Sequence, residues 1–171
     1  MQTRRELSRL GQPLCACSGS GVFVGYASLF GARDQSGDVV MPGAFAASLK
    51  KRGAADVRML FQHDAAEPVG TWLEMHENEK GLHVMGRLDG NVQRGRELFS
   101  LLESKGLDGL SIGFRTVRAR RDKASGSRVL TEIDLWEISL VTFPMLEEAR
   151  VFQVKTKARA FAEAFFTTAS R

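Results

Sequence analysis

The sequence predicts a mixed α/β protein of the α+β class, in which a curved or closed, mostly antiparallel β-barrel carries helices on its outside. Two observations predict this class. Segments typical of strands outnumber segments typical of helices throughout the middle of the chain. Neither a regular alternation of strands and helices nor an internal repeat is visible, which favours a closed or strongly curved mixed sheet.

The length and composition predict one globular domain. The 171 residues, 43% of them hydrophobic, are enough to bury a single core. We expect an N-terminal extension over residues 1–19, the folded domain over residues 20–152 and a C-terminal tail over residues 153–171. No apolar run approaches a membrane helix or a signal peptide. The sequence therefore predicts a soluble protein without a membrane partner.

The chain begins with a predicted strand, loop and helix. Residues 21–30 place aromatic and β-branched side chains between glycines, which is typical of a strand, and residues 31–37 have the composition of a loop. Pro42 suits a first helical turn, and the residues after it predict a short helix that ends at Gly53.

A strand and a hairpin are predicted next. The apolar run at residues 57–61 predicts a short strand, and His63 falls in the loop just after it. Residues 69–76 and 82–88 flank an Asn-Glu-Lys-Gly turn, so they predict a hairpin.

A helix and two further strands complete the predicted domain. Asn91 is expected to cap a helix that stops at Gly106. Residues 110–117 and 129–141 alternate as strands do, on either side of the polar turn at residues 122–127. These two segments therefore predict an antiparallel pair.

The cysteines and the tail carry little functional signal. Cys15 and Cys17 stand one residue apart, which is poor geometry for a disulfide and too few thiolates for a zinc site. We read them as reduced thiols and predict neither a metal nor a cofactor. For residues 158–166 two alternatives are open, a short amphipathic helix or a loose tail.

The charge pattern disfavours nucleic acid as a partner. The net charge is +4 and the pI is near 9.4, but the 20 acidic residues are mixed through the chain. One basic patch is concentrated, and its even spacing predicts a solvated sheet edge, with a polyanion contact as the alternative. Its members are Arg115, Arg118, Arg120, Arg121 and Lys123.

One histidine has the setting of a general base. A serine hydroxyl is a weak nucleophile, so acyl transfer needs a base, a group that orients the base, and donors for the oxyanion. Of the three histidines, only His63 lies in a loop where an imidazole can face a cleft. His76 and His83 lie on the predicted hairpin beside carboxylates, and a structural role is the simpler interpretation for both.

Ser111 is the candidate nucleophile. Alternation along its strand sends Leu110, Ile112 and Phe114 to the core and Ser111 to the opposite face. Gly113 leaves room there for a substrate backbone. Taken alone, a serine before a glycine on a strand is a weak signal, and an ordinary edge serine is the alternative.

Glu137 is the candidate orienting acid. It interrupts the apolar run at residues 135–141, where a carboxylate is costly unless it is paired, and an imidazole N–H is a suitable partner. A salt bridge to an arginine across the hairpin is the structural alternative. Asp134 and Asp64 are weaker candidates, and we read the Ser139 hydroxyl as structural.

The order and local contexts of His63, Ser111 and Glu137 resemble those of the tailed-phage prohead serine protease family, whose fold and active site are similar to those of the herpesvirus assembly proteases. The resemblance covers roughly residues 20–152 and rests on several motifs. These are Gly25-Tyr26-Ala27, residues 34–38, Pro42-Gly43-Ala44-Phe45, Gln62-His63-Asp64 with Pro68-Val69-Gly70, Leu110-Ser111-Ile112-Gly113-Phe114, and Trp136-Glu137-Ile138-Ser139-Leu140-Val141 with Pro144.

The resemblance implies a herpesvirus-protease-like fold and a serine endopeptidase with Ser111 as nucleophile, His63 as base and Glu137 as acid. It also implies an enzyme that is made in the host cytoplasm and packaged inside the immature capsid. There it would trim the scaffold segment of the major capsid protein and digest itself, as a homo-oligomer.

Three points stay open within this resemblance. The herpesvirus enzymes have a second histidine as third member, so His76 or His83 rivals Glu137. After Pro144 the chain lacks the small-residue and second-proline pattern that we expect, which leaves the role of the tail open. For the oxyanion, Arg115 and the backbone N–H near Ile112 are the candidates.

Two other classes of function are compatible with the sequence. A catalytically inactive capsid assembly or scaffolding module would keep the same fold, because a fold does not guarantee activity. A basic protein associated with nucleic acid inside the particle is supported only by the arginine-rich hairpin.

Overall fold

A computed structural model describes residues 21–155 and shows one mixed sheet of eight strands with two helices. The predictions for Cys15, Cys17, the N-terminal extension and residues 158–166 lie outside the described residues. Within the described residues no helix is long and apolar enough to cross a membrane.

The elements follow one another along the chain with short connections. Their bounds are β1 Val22–Leu29, β2 Asp38–Val40, α1 Ala46–Arg52, β3 Arg58–Phe61, β4 Asp64–Glu77, β5 Gly81–Leu88, α2 Gln93–Glu103, β6 Gly109–Arg121, β7 Arg128–Val141 and β8 Val151–Lys155.

Strand β7 organises the sheet because it is paired along both edges. On one edge it pairs antiparallel with β6. On the other edge it pairs parallel with β2 at its beginning and with β3 further along. From β3 the sheet continues through β4, β5, β1 and β8, and all of these pairings are antiparallel. The prediction of a mostly antiparallel sheet is therefore confirmed.

The sheet is not closed into a barrel, so the closed form of the prediction is wrong. A barrel needs a continuous ladder between its first and last strands. Among residues 21–155, β6 and β8 form no such ladder, and an isolated bridge joins Gly109 to Arg150. Beyond that bridge β6 follows β7 and β8 follows β1, so the two strands do not stay side by side.

The core lies against β7 and the strands that flank it. Leu135, Ile138 and Leu140 of β7 are fully buried. Helix α1 packs on this strand, and the Ser48 hydroxyl accepts a hydrogen bond of 2.9 Å from the backbone N–H of Leu135. This contact fixes the helix against the strand that carries Glu137.

Most of the predicted elements are present at the expected places, including the first strand, the helix that ends at Gly53, the hairpin and the β6–β7 pair. Strand β4 starts five residues earlier than the predicted residue 69, at Asp64. Strands β2 and β8 were not predicted, and β8 crosses the expected domain boundary at residue 152.

The predicted ends of the second helix are wrong in detail. Val92 is the N-cap residue and no side chain caps the helix; Asn91 instead donates its backbone N–H to the Asp89 carboxylate. At the C-terminus the left-handed position is taken by Lys105, with φ +58°. The backbone N–H of Gly106 then bonds to the Leu101 carbonyl, as in a Schellman motif.

Candidate active site

His63 lies in a two-residue turn between β3 and β4. Phe61 pairs with Asp64, and the residues between them, Gln62 and His63, have φ values of +53° and +60°. Positive φ at both central residues is typical of a type I′ hairpin turn, which favours Asn and Gly. Residues with larger side chains adopt it at a cost of roughly 1–3 kcal/mol each, and such strain clusters at functional sites.

The His63 ring contacts Glu137. Nδ1 of His63 lies 2.6 Å from Oε1 of Glu137. The Glu137 side chain is 13% exposed, whereas the His63 side chain is 42% exposed and faces solvent in part. The parallel pairing of β3 with β7 places Phe61 opposite Leu140, so that the turn after Phe61 bonds to Ser139 and Leu140. From this turn the His63 ring reaches Glu137.

Glu137 raises the pKa of His63. The hydrogen bond to the Glu137 carboxylate is the largest cause, partial burial of the ring opposes it, and the negative charge of Glu137 adds to it. Because Nδ1 is engaged with Glu137, Nε2 is the ring nitrogen that is left to exchange a proton with a substrate or a nucleophile.

Ser139 joins the two residues, which the sequence interpretation missed. Its hydroxyl donates to Oε2 of Glu137 at 2.7 Å and accepts the backbone N–H of His63 at 3.0 Å. Ser139 is fully buried. Its spacing of two residues from Glu137, on one face of a strand, is the sequence signal that could have identified it.

Ser111 lies directly across the sheet from Ser139. The two residues are register partners in the β6–β7 pair, and directly opposite residues point to the same face with Cβ atoms about 4.5–5.5 Å apart. Ser111 is 4% exposed. Within the described residues no hydrogen bond joins its hydroxyl to His63; bonds between catalytic groups are often long before substrate binds.

Gly113 has a different role from the one expected. A Cβ at this position would lie 2.0 Å from Oε1 of Glu137 and 2.7 Å from its Cδ. The space over Gly113 is therefore filled by the carboxylate that contacts His63, and not by a substrate backbone. This contact also shows that Ser111, two residues earlier, shares its face of β6 with the Glu137 carboxylate.

A cavity of about 210 Å³ opens beside Ser111. It lies where β6 faces the end of β1, β2 and the segment after β7. Its lining is partly apolar and includes an ion pair between Asp38 and Arg128. The lining residues are Ala27, Ser28, Leu29, Ala32, Asp34, Ser36, Asp38, Val40, Leu110, Ser111, Ile112, Phe114, Arg128, Met145 and Leu146.

The weaker acidic candidates are engaged elsewhere. Asp134 accepts hydrogen bonds from the Trp136 indole and from Arg52, which hold the pKa of its carboxyl below its usual value. Asp64 accepts the backbone N–H of Ala66. The arginine alternative for Glu137 finds no support, since its two oxygens contact His63 and Ser139 in the described part of the chain.

The two remaining histidines form a separate cluster. His76 and His83 are register partners on β4 and β5, and their ring centroids lie 4.8 Å apart. His76 also contacts Glu74 at 3.0 Å. Burial and the nearby His76 lower the pKa of His83. Neither ring contacts His63, Ser111 or Glu137 among the described residues, so the second-histidine alternative gains no geometric support.

Four members of the basic patch lie on the edge strand β6, as their spacing indicated, and Lys123 lies in the turn that follows it. Strand β6 pairs only with β7 among the described strands, and its second half is exposed. Arg115 lies 3.5 Å from Asp134 and Arg118 lies 3.4 Å from Glu132. Arg115 therefore has an ion-pair partner away from Ser111, which weakens it as an oxyanion donor. No metal-binding cluster of His, Cys, Asp or Glu occurs within residues 21–155.

Two curated phage proteins are similar to this chain. The prohead protease of Enterobacteria phage HK97 is 36% identical over 138 residues, which are 80% of this chain and 61% of that protein. The prohead protease of Escherichia phage T5 is 28% identical over 118 residues, which are 68% of this chain and 55% of that protein. The matches thus span less than two thirds of either relative.

Two solved structures share the fold. The bacteriophage T4 capsid assembly protease has a TM-score of 0.56 at 12% identity, over 70% of this chain and 80% of that one. The KSHV protease, solved with a hexapeptide phosphonate inhibitor, has a TM-score of 0.53 at 13% identity, over 88% and 78%. These matches bear out the expected herpesvirus-protease-like fold, apart from barrel closure.

A family model matches most of the sequence. The model of the caudovirus prohead serine proteases matches residues 14–164, which is most of the chain. Together with the identity to the HK97 protein, this match establishes that the chain belongs to the caudovirus prohead serine protease family.

Proposed function

We propose that this chain is a serine endopeptidase in which Ser111 is the nucleophile, His63 the general base and Glu137 the acid that orients the base. The observation that carries the proposal is the contact of 2.6 Å between Nδ1 of His63 and Glu137, on the face of the sheet that Ser111 shares. The family assignment and the fold of the two protease neighbours support a peptidase.

The proposed reaction follows the usual order of serine proteases. The Ser111 Oγ attacks the carbonyl carbon of the scissile bond while Nε2 of His63 takes the hydroxyl proton. Glu137 stabilises the imidazolium that forms and keeps Nδ1 protonated. His63 then gives its proton to the leaving amine, and water releases the acyl group by the same steps in reverse order.

The oxyanion requires donors near Ser111. Leu110 donates its backbone N–H away from β7, to the Ala149 carbonyl at 2.8 Å. Because backbone N–H groups alternate along a strand, that of Ile112 points to the same side, next to the cavity beside Ser111. We favour the Ile112 N–H over Arg115 as a donor.

We propose the phage major capsid protein as substrate, and within it the scaffold segment that is removed during prohead maturation. The support is the family and the similar proteins, which are prohead and capsid assembly proteases. The enzyme would act inside the immature capsid in the host cytoplasm, as a homo-oligomer that also cleaves itself. Confinement there raises the effective concentration of enzyme and cut sites, so modest affinity suffices.

Co-expression with the major capsid protein of the same phage or prophage tests this function. Wild type should yield shells whose capsid subunit has lost its scaffold segment, whereas His63→Ala should yield shells with full-length subunits and intact protease. Full-length subunits in shells that contain wild-type enzyme would refute the maturation role. They would favour the inactive assembly module as the alternative.

A further inference from the structure

We propose that Ser139 is a positioning residue of this active site, whose hydroxyl locks the Glu137 carboxylate and the His63 turn into one unit. This inference rests on the proposed function, because it concerns how the same site is held together. Ser139 would act through Glu137 and His63, without touching the substrate.

The hydrogen-bond directions at Ser139 are fixed by its partners. The backbone N–H of His63 can only donate, so it occupies a lone pair of the Ser139 hydroxyl. The single hydroxyl proton is then directed to Oε2 of Glu137, at 2.7 Å. With Oε2 satisfied, Oε1 is presented to His63 Nδ1. One hydroxyl thus sets the rotation of the carboxylate and anchors the backbone of the base.

The backbone at the turn needs such an anchor. Gln62 and His63 both have positive φ, a conformation that their side chains disfavour. The Leu140 carbonyl accepts the N–H of Gln62 at 3.0 Å, and Ser139 accepts that of His63. Two successive residues of β7 therefore hold two successive residues of the turn. Loss of the Ser139 hydroxyl removes the acceptor that holds the backbone N–H of His63.

Gly113 closes the unit from the opposite strand. The Glu137 carboxylate lies over its α-carbon, where a methyl group would come within 2.0 Å of Oε1. The φ of Gly113 is not in the left-handed region, so this position requires glycine for space and not for conformation. The Glu137 carboxylate is therefore held by three contacts. It packs against the α-carbon of Gly113, its Oε2 accepts the Ser139 hydroxyl, and its Oε1 contacts His63 Nδ1.

The main test compares Ser139→Ala with Ser48→Ala in the purified chain. Both remove a buried hydroxyl that accepts a backbone N–H next to β7. The probe is a fluorophosphonate, which the Ser111 oxygen attacks at phosphorus with release of fluoride. We expect Ser139→Ala to lower the maximal labelling rate about 10- to 100-fold, as loss of a buried bond to a charged group implies, and to leave the half-saturating probe concentration within about twofold.

A second readout separates positioning from general loss of stability. The pKa of His63, followed by NMR, should fall in Ser139→Ala, because a carboxylate that can rotate holds its bond to the ring less often. Ser48→Ala should change neither the labelling rate nor the His63 pKa. A folded Ser139→Ala that labels within twofold of wild type would overturn the proposal.

Two further variants keep the proposal testable if Ser139→Ala does not fold. Ser139→Cys keeps the shape but offers a weak donor, so the same loss of labelling is expected; labelling within twofold of wild type overturns the proposal. The effect of Ser139→Cys should also shrink in a Glu137→Gln background, since the two residues act as a unit. Full additivity would contradict it.

Separate variants test the proposed function independently of Ser139. If Ser111→Ala still labels at the wild-type rate, the nucleophile assignment fails. If Ser111→Ala and His63→Ala abolish labelling while Ser139→Ala does not reduce it, only the inference about Ser139 fails.

Discussion

His63 and Glu137 stand 74 positions apart in the sequence, yet Nδ1 of the first lies 2.6 Å from Oε1 of the second. Parallel pairing of β3 with β7 brings the turn that carries His63 next to Ser139, and the β6–β7 pair places Ser111 on the same face. The relationship determines which variants should lose activity and how activity should depend on pH.

Ser111→Ala should abolish both fluorophosphonate labelling and cleavage while the fold is kept. The substitution removes the nucleophile, and losses of about 10⁶-fold are typical when a serine protease loses this group. Circular dichroism and thermal unfolding check the fold, and mass spectrometry checks the labelling site. Ser36→Ala, at an exposed serine beside the same cavity, is the matched control and should label normally. Unchanged cleavage by Ser111→Ala would remove the assignment.

Glu137→Gln should lower the labelling rate by about 10²- to 10⁴-fold, less than the loss in His63→Ala, because an amide cannot stabilise the imidazolium or fix the tautomer. His76→Ala and His83→Ala are the comparison and should stay within about threefold of wild type. The rival arrangement, with a second histidine as third member, predicts the reverse order of effects.

The labelling rate should depend on pH through His63. The base must be neutral to act, and its pKa is raised, so activity should fall on acidification at a pH above the ordinary histidine value of about 6.5. Glu137→Gln removes the cause of the pKa shift, so the fall in labelling rate on acidification should occur at lower pH. A fall at unchanged pH would show that a group other than His63 controls the reaction.

The contact between His63 and Glu137 also makes the free energy of unfolding depend on pH. Because the folded-state pKa of His63 is raised, the contact stabilises the fold fully below the unfolded pKa, and this contribution is lost as pH rises through the folded value. The ring is partly exposed, so the effect is small. Urea unfolding of wild type and His63→Ala across this pH window measures it.

Glu77→Ala should destabilise the chain by about 1–2 kcal/mol, as the loss of a helix cap does. Helix α1 has no side-chain cap of its own, and the Glu77 carboxylate accepts the backbone N–H groups of Gly43 and Phe45 just before it, at 3.1 and 2.8 Å. Urea unfolding gives the change, and exposed Glu79→Ala should have almost none. Equal effects of both substitutions would contradict this role of Glu77.

The residues of the proposed triad could be singled out from the sequence because each departs from its local pattern. Glu137 is charged in an apolar run, His63 follows a short strand, and Ser111 lies on the polar side of an alternating segment. Ser139 has only its spacing of two residues from Glu137 as a sequence signal, and this signal is weak because a buried hydroxyl between Ile138 and Leu140 is also compatible with ordinary packing. Only the register between strands shows what it contacts.

The parts of the fold that were missed depend on long-range pairing. Strand β2 has three residues, too few for a periodic pattern, and it is a strand because it lies beside the start of β7. Strand β8 is defined by its pairing with β1. Whether the sheet closes depends on whether β6 and β8 stay side by side beyond the bridge between Gly109 and Arg150. Local sequence patterns carry no information about this pairing.

The double pairing of β7 also has a consequence for the timing of activity. Ser111 reaches the site through the local β6–β7 hairpin, whereas His63 reaches it through the β3–β7 pairing, which connects segments far apart in the sequence. Contacts of this kind form slowly, because the chain loses much conformational freedom before they are made. In the proposed mechanism, a newly synthesised chain therefore holds no base beside a nucleophile until β3 has paired with β7, which would delay self-digestion and favour incorporation of an intact enzyme into the assembling shell.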